Sequence, residues 1–303
     1  MITIVGSGRV GSTLAMILVQ RNVDDITLLD IIPNLPEGEA LDLSHMAAEL
    51  GVDVKIKGSN DYAALKGSDL VVVTAGLARK PGMTRMDLLT KNAGIVKSVS
   101  SEVAKYAPES NLIVVSNPLD VMVYVALKTT GFKKNRVFGM GGMLDLSRFK
   151  QLLSESLHIS RSSINALVIG EHGESMTPVA GYTSVNGIPV RNFLSDQQLD
   201  EAIEKTRKVA AEVIAKKGAT FYAPGNGIAR MIEAVKYDKK ALLPVSTYLE
   251  GEYGLSGICI GVPAIIGKEG VERIVEIELS GKERASFDRG ATSLKEAIGS
   301  LQI

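Results

Sequence analysis

Three histidines occur in the 303 residues, and one of them, His172, lies in a Gly-flanked turn after an apolar run, VIGEHGES. An unperturbed imidazole titrates near pH 6.5, so this residue is suited to giving and taking a proton near neutrality. His45 and His158 fall in helical patterns and read as helix-surface or packing residues. Asp145 and Arg148 stand three apart on a predicted helix and project from one face, a spacing that serves a surface ion pair equally well. Arg79 and Arg85 lie in AGLARKPGMTRMDLL, a Gly/Pro-bearing loop that also holds Lys80. Such a loop suits an anion clamp, with Gly76 and Gly82 as hinges of a lid, although a solvated basic loop has the same composition. Asn117 ends the run VVSNPLD, where its amide can reach a ligand or simply form an Asn-Pro turn and helix cap.

A second constellation is Gly6-Ser7-Gly8-Arg9-Val10-Gly11, between the apolar run ITIV and the helical pattern STLAMILVQR. Strand, glycine-rich turn and helix in that order give a tight turn, close backbone approach to a pyrophosphate and a helix N-terminus facing it. A bare GxGxxG is also an ordinary turn. Here the second apolar run ends in Asp30, nineteen residues past Gly11, where a carboxylate accepts ribose hydroxyls and repels a 2′-phosphate. NAD is therefore expected over NADP.

These residues need a scaffold. Short β-branched runs at 2–5, 26–29, 52–56, 70–74, 112–115 and 136–138 alternate with amphipathic stretches, which predicts a doubly wound parallel sheet of the Rossmann kind. Runs such as DLVVVTAG are apolar without alternation, as strands covered on both faces must be. Ligands of such sheets collect beyond the carboxyl ends of the strands, which directs attention to Thr74, Ala75, Gly76, Val115 and Asn117. Thr84 and Asp87 have the spacing of a capping box opening a long helix. After about residue 142 the texture changes. A helix over 144–157, a β-rich stretch over 163–190, a long helix carrying 199–217, strands around 246–262 and 274–279, and a closing helix from about residue 286 make a second, α+β substrate domain. The expected division is residues 1–142 and 143–303.

Composition narrows the function classes. Basic and acidic residues balance at 34 each, so no global field favours nucleic acid or an anionic membrane, and an anionic ligand must be held by placed charges. The single cysteine, Cys259, excludes an internal disulfide, reads as a buried strand thiol and fits a reducing cytoplasm. No apolar run approaches the ~20 residues of a membrane span. Neither repeats nor low-complexity tracts occur, and no metal is expected.

Taken together, GSGRVG, AGLARKPGMTRMDLL, KNAGI, SNPLD, LDLSRF, GEHGES, KGAT and EGEYG resemble the lactate/malate dehydrogenase family over essentially the whole length, within its malate-specific, lactate-dehydrogenase-like branch of archaea and bacteria. The resemblance implies that His172 is the proton-transfer acid/base, that Asp145 orients it and stabilises its imidazolium, and that Arg148 grips the C1 carboxylate bidentately. It implies that Arg85 polarises the C2 carbonyl, that Asn117 bonds near the reacting oxygen and that Thr220 of KGAT lines the pocket. Cofactor contacts are expected from Gly6 to Gly11, including Ser7, Gly8, Arg9 and Val10, from Asp30 and the strand-end residues, and from Asn92 of KNAGI. Arg79 stands where malate-specific members have arginine and lactate-specific members glutamine. A second substrate carboxylate needs such a cation, which points to malate and oxaloacetate. The competing expectations are a lactate or other 2-hydroxy-acid dehydrogenase and a non-catalytic NAD-binding redox sensor. The resemblance also implies a homo-oligomer, a tetramer rather than a dimer. The stretch 180–200 carries no motif with a chemical reading.

Overall fold

The computed structural model describes residues 1–78 and 82–301. Arg79, with Lys80 and Pro81, lies outside the described residues. In chain order the elements of the first half are β1 (Ile2–Val5), α1 (Arg9–Gln20), β2 (Ile26–Leu29), α2 (Leu35–Leu50), β3 (Ile56–Ser59), β4 (Leu70–Val73), α3 (Arg85–Tyr106), β5 (Asn111–Val114), α4 (Leu119–Thr130) and β6 (Val137–Gly139). There follow α5 (Gly142–Leu157), the two-residue strands β7 (Ile164–Asn165), β8 (Val168–Ile169), β9 (Thr177–Pro178), β10 (Ser184–Val185) and β11 (Ile188–Pro189), then α6 (Asp196–Lys217) and α7 (Tyr222–Lys236). The chain closes with β12 (Ala241–Glu250), β13 (Ser256–Gly267), β14 (Gly270–Ile274) and α8 (Gly281–Gly299).

The main sheet runs β14-β13-β12-β6-β5-β4-β1-β2-β3. Its strands β1 to β6 are parallel and ordered as in a doubly wound dinucleotide-binding sheet, with the switch point between β1 and β4. The non-alternating runs have their physical reason in the packing. Along β4, Val71 and Val73 enter one apolar cluster while Leu70 and Val72 enter the other, across the sheet. Both faces are thus buried, and every residue of such a strand is selected to be apolar. The sheet does not stop near residue 142: β12, β13 and β14 extend it antiparallel beyond β6.

Several expected elements shift. The run at 52–56 contributes only its last residue to β3, because Gly51 caps α2 in a left-handed conformation and pairing begins at Ile26 with Ile56. The strand expected at 274–279 lies earlier, at Gly270–Ile274. After Val275, whose N–H still donates to the Pro263 carbonyl, the stretch is held by tyrosine hydroxyls, Tyr253 Oη donating to the Val275 carbonyl and accepting from Ile277 N–H. The closing helix starts at Gly281, where Ser280 and Glu283 form a capping box. Helix α7 was not expected at all. The capping box of Thr84 and Asp87 is present at the start of α3, and Cys259 is a buried free thiol in β13. His45 sits in α2 and His158 ends α5 with a positive φ. Among the described residues no helix is long and apolar enough to cross a membrane, and no cluster of His, Cys, Asp or Glu could hold a metal ion.

Candidate active site

Three glycines shape the turn between β1 and α1, each for a different reason. Gly6 has φ +106, and a Cβ there would lie 2.5 Å from Thr74 Oγ1, where the turn crosses the end of β4. A Cβ on Gly11 would lie 1.9 Å from the Gly6 carbonyl oxygen, so the helix can close on the turn only without one. Gly8 has nothing within 4 Å of its missing Cβ. The space it leaves is therefore open to a ligand rather than filled by the protein. Helix α1 has no side-chain cap at Gly8, which leaves its first N–H groups for an anion. Among the described residues the buried Ser7 hydroxyl has no hydrogen-bond partner. Asp30 accepts from the backbone N–H of Ser7 at 2.7 Å and of Ile32 at 3.0 Å, which sets its carboxylate beside this turn. An uncapped helix end, an open glycine and a fixed carboxylate fit a dinucleotide whose ribose carries free hydroxyls.

Beyond the carboxyl ends of β1, β4 and β5 lies a cavity of about 770 Å³, walled by both halves of the chain. Val10, Thr74, Gly76, Asn92, Val115, Asn117, His172 and Thr220 line it, together with Ser116, Met140, Leu144 and Pro224, which the sequence did not single out. Asn92 knits the floor: its amide donates to the carbonyls of Leu77 at 3.1 Å and Asn117 at 2.6 Å and accepts from Leu77 N–H at 2.8 Å. Thr74 donates to the Gly6 carbonyl at 2.9 Å, tying the two strand ends at the switch point. Ala75, beside them, accepts from the Ser116 hydroxyl at 2.6 Å. Arg9 leans over the ring of Phe221 at 5.8 Å and does not line the cavity.

His172, Asp145 and Arg148 are brought together. His172 Nδ1 lies 2.7 Å from Asp145 Oδ2, and Arg148 donates to Asp145 Oδ1 at 3.1 Å. The Asp145 and Arg148 side chains are 2% and 12% exposed, so their pairing is not the surface ion pair that the spacing also permits. Both lie in the first two turns of α5, which opens at the close-packed pair Gly141 and Gly142. A Cβ on Gly141 would lie 2.8 Å from His172 Cβ, and one on Gly142 would lie 2.8 Å from Pro244 Cβ. Because a carboxylate only accepts, the Nδ1 position carries the proton and Nε2 is the nitrogen left for substrate. Burial works against the imidazolium, but the Asp145 carboxylate and its hydrogen bond outweigh it, with help from Asp120, and hold His172 above its ordinary pKa.

Arg85 is not brought to this cluster. Its side chain is 77% exposed at the start of α3 and ion-paired with Glu174 of the His172 loop. It does not line the cavity, so the role expected of it at the carbonyl is not seen in this arrangement. Asp120 was also missed. This buried carboxylate on α4 accepts the His172 backbone N–H at 2.8 Å and the Ser246 hydroxyl at 2.6 Å. The motif SNPLD carries it, but a helix-start aspartate reads from sequence as an ordinary cap.

Similarity to known proteins agrees with this geometry. The family model for the lactate/malate dehydrogenase NAD-binding domain matches residues 1–139, and that for the family's alpha/beta C-terminal domain matches residues 142–302. A malate dehydrogenase of Thermoproteus tenax is 48% identical over 99% of this chain and 98% of its own length. The solved malate dehydrogenase of Aeropyrum pernix superposes with a TM-score of 0.96 at 43% identity, covering 99% of this chain and 98% of that one. A lactate dehydrogenase of Cryptosporidium parvum, solved with lactic acid and nicotinamide adenine dinucleotide, has a TM-score of 0.94 at 37% identity over 98% and 96% of the two chains. The chain is an NAD-dependent oxidoreductase in build and belongs to the lactate/malate dehydrogenase family.

Proposed function

We propose that the chain interconverts malate and oxaloacetate with NAD. The observation that carries this reading is His172, which lines a cavity that adjoins the dinucleotide turn and is bonded to the buried Asp145–Arg148 pair, itself not part of the cavity lining. NAD, when bound, supplies the hydride acceptor, and its reduced form the donor. The turn from Gly6 to Gly11 would hold its pyrophosphate and Asp30 its adenosine ribose, while the floor of Thr74, Gly76, Asn92, Val115 and Asn117 would border the reacting end. In malate oxidation His172 Nε2 takes the hydroxyl proton as the C2 carbonyl forms. Asp145 fixes the ring and balances the imidazolium, so the proton is accepted without an unpaired buried charge. In the reverse direction the same imidazolium returns the proton to oxygen. Arg148 offers a planar fork for the C1 carboxylate, Asn117 an amide beside the reacting oxygen and Thr220 a polar wall. Arg85, swung in from Glu174, adds positive charge at the carbonyl oxygen as water is excluded.

The choice of malate is supported by the names of relatives above 40% identity and by Arg79, a cation suited to a second carboxylate. The architecture alone does not make it, since the Cryptosporidium lactate dehydrogenase superposes nearly as well. The deciding assay is NADH oxidation with oxaloacetate and with pyruvate. Preference for oxaloacetate is expected; preference for pyruvate overturns the substrate assignment, and no turnover of either overturns the reading. The reading includes a division at residue 142, a homo-oligomer of tetrameric form and a cytoplasmic site of action. Exposed large apolar side chains such as Leu41 and Tyr222 support the oligomer.

For the cofactor, Asp30→Ser should lower kcat/KM with NAD by about 10- to 100-fold, the value of charge-assisted hydrogen bonds of 1.5–3 kcal/mol. NADP should lose nothing and gain in relative terms, because the repulsion of its 2′-phosphate is gone. Steady-state rates with the two cofactors check this. An unchanged ratio would reduce Asp30 to a turn residue.

A further inference from the structure

Besides its own ring contact, the His172 loop is held by β13 and α4, the second braced in turn by β12. Gly170 forms a bridge to Gly261 of β13, with N–H to carbonyl distances of 2.8 and 3.1 Å in the two directions. A Cβ on Gly261 would lie 2.6 Å from the Gly170 oxygen, so only glycine permits this approach. Two residues on, the His172 N–H is taken by Asp120 Oδ2, and Asp120 Oδ1 is taken by Ser246 of β12. Asp120 is 2% exposed, and the cationic group that acts on it is His172 when protonated. Burial raises its carboxyl to about 6, against the hydrogen bonds from Ser246 and His172, and Glu171 adds to the rise. Hydrogen bonding alone would be met by a neutral amide at lower desolvation cost. A carboxylate kept here adds something an amide cannot, namely negative charge behind the imidazole.

We propose that Asp120 is a positioning residue for the proton transfer, fixing the main chain of His172 and adding a second negative charge, beside Asp145, that favours its imidazolium. This rests on His172 being the acid/base. The charged groups acting on the imidazole are Asp145 and Arg148 from α5 and Asp120 from α4. Those facing Asp120 are His172 and Glu171, with the Cys259 thiol on β13.

The test is Asp120→Asn, which can keep both hydrogen bonds, the amide oxygen accepting from His172 and its NH2 donating to Ser246. Oxaloacetate reduction needs protonated His172, so kcat/KM falls as pH rises through the His172 pKa. Removing the Asp120 charge lowers that pKa, and the falling limb moves to lower pH, with a several-fold loss of kcat/KM on its alkaline side. NADH affinity stays at the wild-type level. The Asp120 carboxyl titrates higher folded than unfolded, so its ionisation lowers stability as pH rises from the ordinary carboxylate value to about 6 and the full penalty stands above that, and Tm of the variant at pH 8 should equal or exceed that of wild type. Asp120→Ala, which also frees the main chain, should lose about 10²-fold in kcat, the cost of an ångström-scale misplacement. A limb and rate unchanged in Asp120→Asn, or a rate loss that tracks a lower Tm with the limb in place, overturns the proposal. Full turnover in His172→Asn overturns it together with the acid/base reading. An inactive His172→Asn beside a wild-type limb in Asp120→Asn overturns the positioning role alone.

Discussion

His172→Asn is expected to lose about 10²–10⁴-fold in kcat for both directions, the contribution of a positioned proton-transfer group. The asparagine amide can still donate to Asp145, so the fold and NADH binding should persist, and fluorescence titration of NADH with thermal melting separates loss of chemistry from loss of structure. The pH dependence gives a second signature with a defined sign. His172 is held above its ordinary pKa, net of burial, by Asp145 and Asp120. Oxaloacetate reduction uses the imidazolium, so its kcat/KM should stay high past pH 6.5 and fall as pH rises through the raised value. Malate oxidation uses neutral imidazole and should rise through the same value. Both limbs should vanish in His172→Asn. A variant that keeps wild-type turnover, or residual activity that keeps these limbs, would assign the proton transfer to another group.

The parts of this site that sequence makes legible are those whose chemistry requires a residue type at a fixed spacing. Gly6 and Gly11 are glycines because of contacts that exclude a Cβ, and Asp30 follows one strand later because the sheet places it there. The parallel strands are legible for a related reason: burial on both faces leaves an unbroken apolar run. Helix α7 is illegible by the same local rules. Its Pro224, Gly225 and Gly227 read as breakers, yet Gly225 is where the helix meets α1, a Cβ there lying 2.9 Å from Thr13 Cγ2. Tertiary packing overrides helix propensity at such a crossing. The stretch at 275–279 looks like a strand because Val275, Ile277 and Leu279 alternate with glutamates, but beyond the Val275 N–H bond to the Pro263 carbonyl its main chain is bonded to the hydroxyls of Tyr253 and Tyr182 rather than to a strand. Asp120 escapes notice because its local signal is that of an ordinary helix cap, while the N–H it accepts belongs to a loop 52 residues away. Arg85 shows the opposite limit. Its type and spacing are legible, whereas its exposed pairing with Glu174, 89 residues away in sequence, is encoded by no local pattern.

Arg79→Gln separates the family chemistry from the choice of substrate, and its expected effect on oxaloacetate is on the order of 30- to 4,000-fold in kcat/KM. Arg79 lies outside the described residues, so the expectation rests on charge rather than on geometry. Oxaloacetate differs from pyruvate by a carboxylate in place of a hydrogen on the methyl carbon, and the closed cavity must strip that group of water. A desolvated carboxylate that loses its hydrogen-bonded cation costs about 2–5 kcal/mol, which at tenfold per 1.4 kcal/mol gives the stated range. Glutamine keeps a donor and much of the length but not the charge, so it tests the cation itself. Pyruvate has no carboxylate at this end and should not share the loss. It should gain where an unpaired arginine no longer has to be desolvated beside its methyl group. The measurement is kcat/KM for both keto acids at saturating NADH and one ionic strength, in wild type and variant. The ratio must move toward pyruvate. An equal decline for both would mean that Arg79 serves loop closure or cofactor binding, and malate specificity would then need another cation.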